Sequence, residues 1–168
     1  PGLFYKLLKV LEHAGLEVID ANIFTSIKKE FAANTFITKY SRHDRVLKKS
    51  ELIELTSKIK INFNKFDKIE ISNSNMIDNS KFEKIIKIDE SIIKDKNRNL
   101  ITIETVDSSG LLANIAKVFF DNNVSIYSAR INTLGERVED TFEVENFNKK
   151  LVPKYKVKKI ISELRKVV

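Results

Sequence analysis

The sequence predicts an α+β fold made from two copies of one small unit, and three observations support this. The chain has 168 residues, 42% hydrophobic and 32% charged, which is typical of a globular protein with one large or two small domains. A shift of the sequence by 108 residues brings like residues together over much of the chain. In the second copy, patterns typical of a strand, a helix, two strands and a final helix follow one another.

The internal repeat can be followed residue by residue. The aligned pairs include Gly2 with Gly110, Leu3 with Leu111, Ala21 with Ala129, Ile23 with Ile131 and, after two residues are dropped, Thr35-Phe36 with Thr141-Phe142. The chain therefore contains two copies of one unit.

The second copy shows the order of elements most clearly. Alternation predicts a half-buried strand at 100–106, and an apolar stripe predicts a helix from Leu111 to Asn122. Strands at 124–133 and 138–145 flank Gly135, which we expect at a positive-φ position of a hairpin turn. Pro153 begins a last helix that runs to Val168, because a proline in the first turn loses no hydrogen bond. This order predicts a ferredoxin-like βαββαβ unit, with the helices on one face of an antiparallel sheet.

The first copy is incomplete by this comparison. Its helix, Gly2 to Ala14 with Gly15 as C-cap, stands at the start of the chain, where the second copy has a strand first. Strands at 17–25 and 31–40, a helix at 47–64, a strand at 82–88 and a linker at 89–99 follow. We therefore expect a first domain over 1–88 that lacks its first strand and a second over 100–168 that lacks its last, in a chain cut from a longer protein.

Charge and composition exclude several function classes. The net charge of +7 is spread as +4, +1, −3 and +5 over 1–50, 51–100, 101–150 and 151–168, so it marks no single basic surface. The chain has no Cys and two His, which excludes disulfides and thiolate metal sites. No apolar run reaches the roughly 20 residues of a membrane span, and no signal peptide pattern is present. We expect a cytoplasmic protein without nucleic-acid or membrane partners.

One run of residues carries a specific resemblance. Ser128 to Phe142 (SARINTLGERVEDTF), after the helix start Gly110 to Ala116 (GLLANIA), closely resembles the final ACT domain of bacterial bifunctional uridylyltransferase/uridylyl-removing enzymes. Pro1 to Phe4 (PGLF) with Ile19 to Thr25 (IDANIFT) is similar to the penultimate ACT domain of that family. The chain departs from the family at Asp107-Ser108-Ser109-Gly110, where Asp-Arg-Pro-Gly is usual, and at Asn22, where the family has arginine.

The resemblance implies a regulatory role. In that family a nucleotidyltransferase domain attaches UMP to the nitrogen-signalling protein PII, a metal-dependent HD domain removes it, and the tandem ACT pair senses glutamine. The implied partners are glutamine or another small amino acid, PII through the parent enzyme, and ACT domains that pair within or between chains. This chain has no Gly-Ser with an Asp-x-Asp pair to hold two magnesium ions, so we expect no catalytic residue, metal or cofactor in it. The parent's catalytic domains would need Mg²⁺, and whether they also need another divalent metal is left open.

A ligand site is predicted at the turn between the first strand and first helix of the second copy. Free amides at a helix N-terminus favour a carboxylate, Gly110 lets a ligand approach the backbone, and Asp107 can receive an α-ammonium. The matching turn of the first copy and polar residues of the second strands are expected to reach the ligand across the domain pair. The predicted ligand-binding residues are Gly2, Leu3, Asn22, Asp107, Ser109, Gly110, Leu111, Leu112, Arg130 and Asn132.

Alternatives stay open at this point. The turn residues could only cap their helix while Arg130 pairs with Glu139. The dipeptide His43-Asp44 matches an HD motif, but such a metal site needs further His and Asp ligands, so a surface loop is favoured. An RNA-binding protein shares this order of elements, although the run 137–143 is acidic where RNA-binding modules present aromatic residues. The chain could also be a ligand-free ACT dimerisation module or the ACT tail of another enzyme.

Overall fold

The structure, a computed structural model, describes residues 2–26, 31–40, 46–66, 86–146, 148 and 150–168. In this part of the chain, four α-helices and six strands occur in the order α1 (Leu3–His13), β1 (Leu16–Thr25), β2 (Ala32–Tyr40), α2 (Lys49–Asn64), β3 (Lys87–Ile93), β4 (Arg98–Val106), α3 (Leu111–Asp121), β5 (Val124–Leu134), β6 (Arg137–Asn146) and α4 (Lys154–Val167). The strands form one antiparallel sheet in the order β2-β1-β5-β6-β4-β3. The predicted α+β class is confirmed, and the architecture is compatible with a ferredoxin-like fold.

Helices α1 and α3 begin in the same way. Gly2 and Gly110 precede them with φ of 83° and 77°, a left-handed conformation that favours glycine, and neither helix has a side-chain cap. The first helical bonds run from Lys6 N to Gly2 O at 2.9 Å and from Asn114 N to Gly110 O at 3.0 Å. Among the amides before these bonds, that of Leu111 donates to Ser108 O at 3.0 Å. The second and third amides of each helix have no carbonyl one turn back to which they can donate, so both helices present donors at their N-termini.

The core lies between the sheet and one layer of helices. Alternate strand residues point to this side, as the period of two requires, and meet the apolar stripes of α1, α3 and α4. The largest fully buried side chains are Phe119, Phe142, Ile101, Ile103, Ile115, Ile160, Leu164, Val10 and Val144. Helix α2 contributes no buried residue. The opposite face of the sheet carries the intervening, more polar residues.

The pair formed by β1 and β5 has a symmetric register. Asn22 on β1 pairs with Arg130 on β5, with Ala21 opposite Ile131 and Ile23 opposite Ala129. The shift of 108 residues that describes the sequence repeat converts Asn22 into Arg130 and Ala21 into Ala129. Within the paired residues 20–24, Ala21 therefore lies opposite the repeat equivalent of Ile23, and Ile23 lies opposite the repeat equivalent of Ala21. This exchange is what a local two-fold axis through the Asn22–Arg130 pair requires.

The hairpin of β3 and β4 corrects the predicted boundaries. β3 pairs with β4 from Lys87 opposite Glu104 to Ile93 opposite Arg98, and a short 3₁₀ turn at Lys94–Lys96 joins them. Residues 89–99, expected to be a linker, therefore lie in this hairpin, and the expected strand at 82–88 falls partly outside the described residues. Ile88 is the one buried residue of β3, so an edge strand with a mostly polar sequence resembled a linker.

A buried amide joins this hairpin to the last helix. Asn99 on β4 is 2% exposed, and its Nδ2 donates to Glu90 Oε1 on β3 at 2.8 Å. Its Oδ1 accepts a hydrogen bond from the backbone N–H of Val152 at 2.8 Å, just before α4. One side chain thus positions three segments, and both of its polar groups are satisfied.

Candidate ligand-binding sites

A small cavity lies beside the turn that leads into α3. We call it the turn cleft; its volume is about 140 Å³, and it is lined by residues 107–113 of the turn and of α3 on one side and by Leu8, Glu12 and 15–18 on the other. Leu111 N donates to Ser108 O at 3.0 Å, which closes the turn. The amides of Leu112 and Ala113 precede the helical hydrogen bonds, so the cleft wall carries the partial positive charge of a helix N-terminus.

Asp107 interacts electrostatically with two other carboxyl groups, Glu17 in the lining of this cleft and Asp140 beyond it. Burial raises the pKa of Asp107, the charge of Glu17 raises it further, and the Ser108 backbone N–H lowers it. Deeper in the sheet, Asp140 is 1% exposed; burial raises its pKa to about 7, while a hydrogen bond from Asn132 N–H at 3.3 Å lowers it and the charge of Asp107 raises it. The cleft therefore combines donors for an anionic group with carboxylates for a cationic one.

A larger cavity lies at the corresponding end of α1. We call it the aromatic cavity; its volume is about 530 Å³. Its walls come from the start of α1, from β1 and β2, from the end of α3 and from the start of β5. Aromatic rings line much of it, among them Phe31, Phe120 and Tyr127. This volume falls within the roughly 300–1,000 Å³ typical of small-molecule pockets, whereas the turn cleft is smaller and suits only a small ligand.

The two cavities occupy equivalent places under the shift of 108 residues. Gly2 and Leu3 line the aromatic cavity where Gly110 and Leu111 line the turn cleft. The chemistry differs at two further equivalent positions. These pairs are Glu12 with Phe120 and Glu17 with Ser125. At these two positions the turn cleft is acidic and the aromatic cavity is apolar or neutral, although Glu145 also lines the aromatic cavity.

The predicted site residues fall into three places. The turn cleft is lined by Asp107, Ser109, Gly110, Leu111 and Leu112, whereas Gly2 and Leu3 line the aromatic cavity. Gly110 is the N-cap of α3 without any side-chain cap bond, and Glu139 pairs with Arg137 at 3.0 Å.

The strand residues of the predicted site lie outside both cavities. Asn22 and Arg130 line neither cavity and are exposed on the open face of the sheet, because their neighbours Ala21, Ile23 and Ala129 take the core-facing positions. Asn132 likewise lines neither cavity, and it contributes its backbone N–H to Asp140.

The proteins described here as similar in sequence to this chain all carry the same name. A bifunctional uridylyltransferase/uridylyl-removing enzyme from Psychrobacter sp. (strain PRwf-1) is 27% identical over 165 residues, which is 97% of this chain and 18% of the relative. A protein with the same name from Vibrio parahaemolyticus serotype O3:K6 is 30% identical, and the match covers 84% of this chain and 16% of the relative. Another from Acinetobacter baumannii (strain AYE) is 29% identical, and that match covers 98% of this chain and 19% of the relative. The chain is related to the bifunctional uridylyltransferase/uridylyl-removing enzymes. No family model and no solved structure matches it.

The relationship covers nearly all of the chain but a small part of these enzymes. The chain spans less than a fifth of the length of the uridylyltransferase/uridylyl-removing enzymes it matches. The expected resemblance is thus confirmed, and it concerns one region of a much larger protein.

Several polar residues at or beside these cavities were not predicted from the sequence. Glu17 and Asp140 belong to the acidic cluster at the turn cleft, and Tyr5 and Asn34 line the aromatic cavity. The sequence indicated the position of Asp140, because it alternates with the same face of the strand as its apolar neighbours and so places a carboxyl among core positions. These neighbours are Val138, Phe142 and Val144. Glu17, Tyr5 and Asn34 gave no such local signal.

Two remaining features concern metal ions and membranes. His43 and Asp44, the HD dipeptide, lie outside the described residues. Among the residues that the structure describes, no group of three or more His, Asp or Glu could hold a metal ion. No helix in this part of the chain combines the length and the apolar character that a membrane crossing requires.

Proposed function

We propose that this chain is the regulatory, amino-acid-sensing region of a bifunctional uridylyltransferase/uridylyl-removing enzyme, that its two halves are ACT domains in tandem, and that glutamine is its ligand. The relatives support the parent enzyme, since all of the matches described carry that name. In such a parent the catalytic domains act on PII and need Mg²⁺, and this region governs them.

The symmetric strand pair supports the tandem arrangement. Equivalent strands β1 and β5 meet about the Asn22–Arg130 pair, so the halves join through the same strand of each unit. The turn cleft lies across this join, with α3 and its turn on one wall and Leu8, Glu12 and residues 15–18 of the other half opposite. A ligand bound there contacts both halves, and its binding energy can shift their relative arrangement.

The observation that carries the ligand class is the charge pattern of the turn cleft. The first-turn amides of α3 favour a carboxylate, and Asp107 with Glu17 favours an ammonium group. A free α-amino acid carries both groups on one carbon. The small volume, about 140 Å³, favours a small amino acid such as glutamine over a bulky one.

The test is glutamine-dependent stabilisation of the whole chain. Thermal unfolding with increasing glutamine, followed by calorimetric titration with the common amino acids, should show saturable binding; at 100 times Kd the stabilisation is about 2.7 kcal/mol. Replacement of Asp107 by Ala together with Gly110→Ala should abolish the glutamine effect. Asp89→Ala is the matched control, because Asp89 is an exposed carboxylate paired only with Lys87 in the ion pairs described.

Three results would contradict the proposal. Unchanged glutamine-dependent shifts in the double variant would remove the turn cleft as the site. No binding of any amino acid to the unmodified chain would favour a ligand-free ACT dimerisation module, and steeply salt-dependent binding of single-stranded RNA would favour the RNA-binding alternative.

A further inference from the structure

We propose that amino-acid binding at the turn cleft is linked to a proton: an amino acid whose ammonium group binds at Asp107 expels the proton held by the buried carboxyl of Asp140. The proposal rests on the amino-acid site of the proposed function and adds pH as a regulator of that site. Three observations support it: the place of Asp140 in the sheet, the charges around it, and the residue at the equivalent position of the first copy.

Asp140 is a buried carboxyl next to the strands that join the two halves. It is 1% exposed, and it lies on β6 opposite Ile103 of β4. Its Oδ1 accepts a hydrogen bond from the backbone N–H of Asn132 on β5 at 3.3 Å, and Asn132 pairs with Asp20 of β1 in the other half. The carboxyl is therefore bonded to the strand through which the halves meet.

Within the described ranges, no cation pairs with this carboxyl. The groups on its cleft side are carboxylates, namely Asp107 and, beyond it, Glu12 and Glu17. A buried carboxylate without a cation is costly, so Asp140 holds its proton near neutral pH, and burial raises its pKa to about 7. The ionisable side chains on the neighbouring strands and helices are exposed or bonded to other groups; these are Lys9, Asp20, Glu104, Lys117, Arg130, Arg137, Glu139, Glu163 and Arg165.

The first copy of the repeat has a neutral side chain at the equivalent position. With Thr35-Phe36 aligned on Thr141-Phe142, Asn34 stands where the second copy has Asp140. Asn34 is among the residues that line the aromatic cavity, so this strand position lies beside the cavity of its own half. The fold therefore accepts an amide at this place. Of the two equivalent positions, the one near the turn cleft carries the group that can gain or lose a proton.

A bound amino acid changes the charge that acts on Asp140. In the chain alone, the negative charge of Asp107 favours the protonated form of Asp140. An ammonium group at Asp107 cancels that charge, so the ionised form is favoured and the proton leaves to solvent. The ionised carboxylate accepts a stronger hydrogen bond from the Asn132 N–H, which lies on the joining strand. Because such linkage is reciprocal, loss of the proton at higher pH strengthens amino-acid binding.

The experiment is calorimetric titration of the full chain with L-glutamine at several pH values. If the ammonium group lowers the pKa of Asp140 by about one unit, Kd should be about five- to tenfold higher at about pH 5.5 than at about pH 8. Titrations at about pH 6.5 in buffers with different heats of ionisation should show the release of about half a proton per glutamine bound.

Asp140→Asn separates this effect from the titration of other groups. The variant cannot ionise at this place, so its Kd should change by less than about twofold over the same pH range and lie near the low-pH value of the unmodified chain. Its proton release should fall to near zero. Asp89→Asn, at an exposed carboxylate outside both cavities, is the matched control and should retain both effects.

Carbon-13 NMR of the Asp140 carboxyl follows the proton directly in the unmodified chain. Without glutamine the signal should titrate near pH 7. With saturating glutamine the midpoint should fall by about one pH unit. In Asp107→Asn without glutamine the midpoint should also fall, because this variant removes the negative charge that acts on Asp140.

Three results would overturn the proposal while leaving glutamine binding in place. They are a Kd that does not change with pH, equal proton release by the unmodified chain and Asp140→Asn, and a titration midpoint of Asp140 that glutamine does not move. If glutamine binds at no pH, both this proposal and the glutamine site of the proposed function are wrong.

Discussion

The buried carboxyl of Asp140 should make the stability of this protein depend on pH. Burial raises its pKa from an ordinary 3.8 to about 7 in the folded chain. An acid whose pKa is higher in the folded state binds more protons there than in the unfolded state, so stability falls as pH rises between the two values. The loss of stability begins near pH 3.8 and is nearly complete at pH 7. It amounts to roughly 4 kcal/mol, because each unit by which the pKa differs between the folded and unfolded states corresponds to about 1.4 kcal/mol.

Asp140→Asn tests this reasoning because asparagine keeps the shape and an acceptor for the Asn132 N–H but cannot ionise. At pH 4 the variant and the unmodified chain should have similar free energies of unfolding. At pH 8 the variant should be more stable by roughly 4 kcal/mol, which is a large share of the about 5–15 kcal/mol that stabilises a typical domain.

Urea unfolding followed by circular dichroism at several pH values measures both free energies. Asp89→Asn, at an exposed carboxylate, is the control and should change the pH profile little. Parallel profiles for Asp140→Asn and the unmodified chain would refute the argument. They would mean that Asp140 is ionised at little cost in the folded state.

Two further predictions concern the backbone and the buried amide. Gly2→Ala should lower stability by about 1–2 kcal/mol in thermal unfolding, because φ is 83° and a Cβ would lie 2.7 Å from the Phe120 ring. Gly135→Ala is the control and should cost less, since φ is 65° there but no atom lies within 4 Å of the added Cβ. Equal losses of stability would show that the contact with Phe120 contributes nothing. Asn99→Ala should cost about 2 kcal/mol in urea unfolding because it leaves the buried Val152 N–H without its acceptor, and an unchanged midpoint would show that the hydrogen bond contributes nothing.

Much of the fold could be predicted because local patterns decide local structure. The alternation around Ile101 and Ile103 predicts β4, and the stripe containing Ile115 and Phe119 predicts α3. Gly135 has the expected positive φ at its turn. These signals arise from the periods of two and 3.6 residues, which any buried strand or helix must follow.

The turn next to α3 was predictable for the same reason. A short polar break with glycine between an alternating strand and an apolar helix must place backbone amides at a helix N-terminus. Residues 107–112 form one wall of the turn cleft. The internal repeat also indicated the matching turn at Gly2, but it did not show that this turn belongs to a different cavity.

Only the tertiary structure decided which distant residues meet. β3 becomes an edge strand through its pairing with β4, although its own sequence alternates weakly. Asn22 and Arg130 point away from both cavities because Ala21 and Ala129 occupy the core-facing positions of the joined strands. Glu17 and Asp107 act on one another although 90 positions separate them in the chain. A periodic pattern describes one segment at a time, whereas strand order, register and the faces that enclose a cavity depend on which segments pack together.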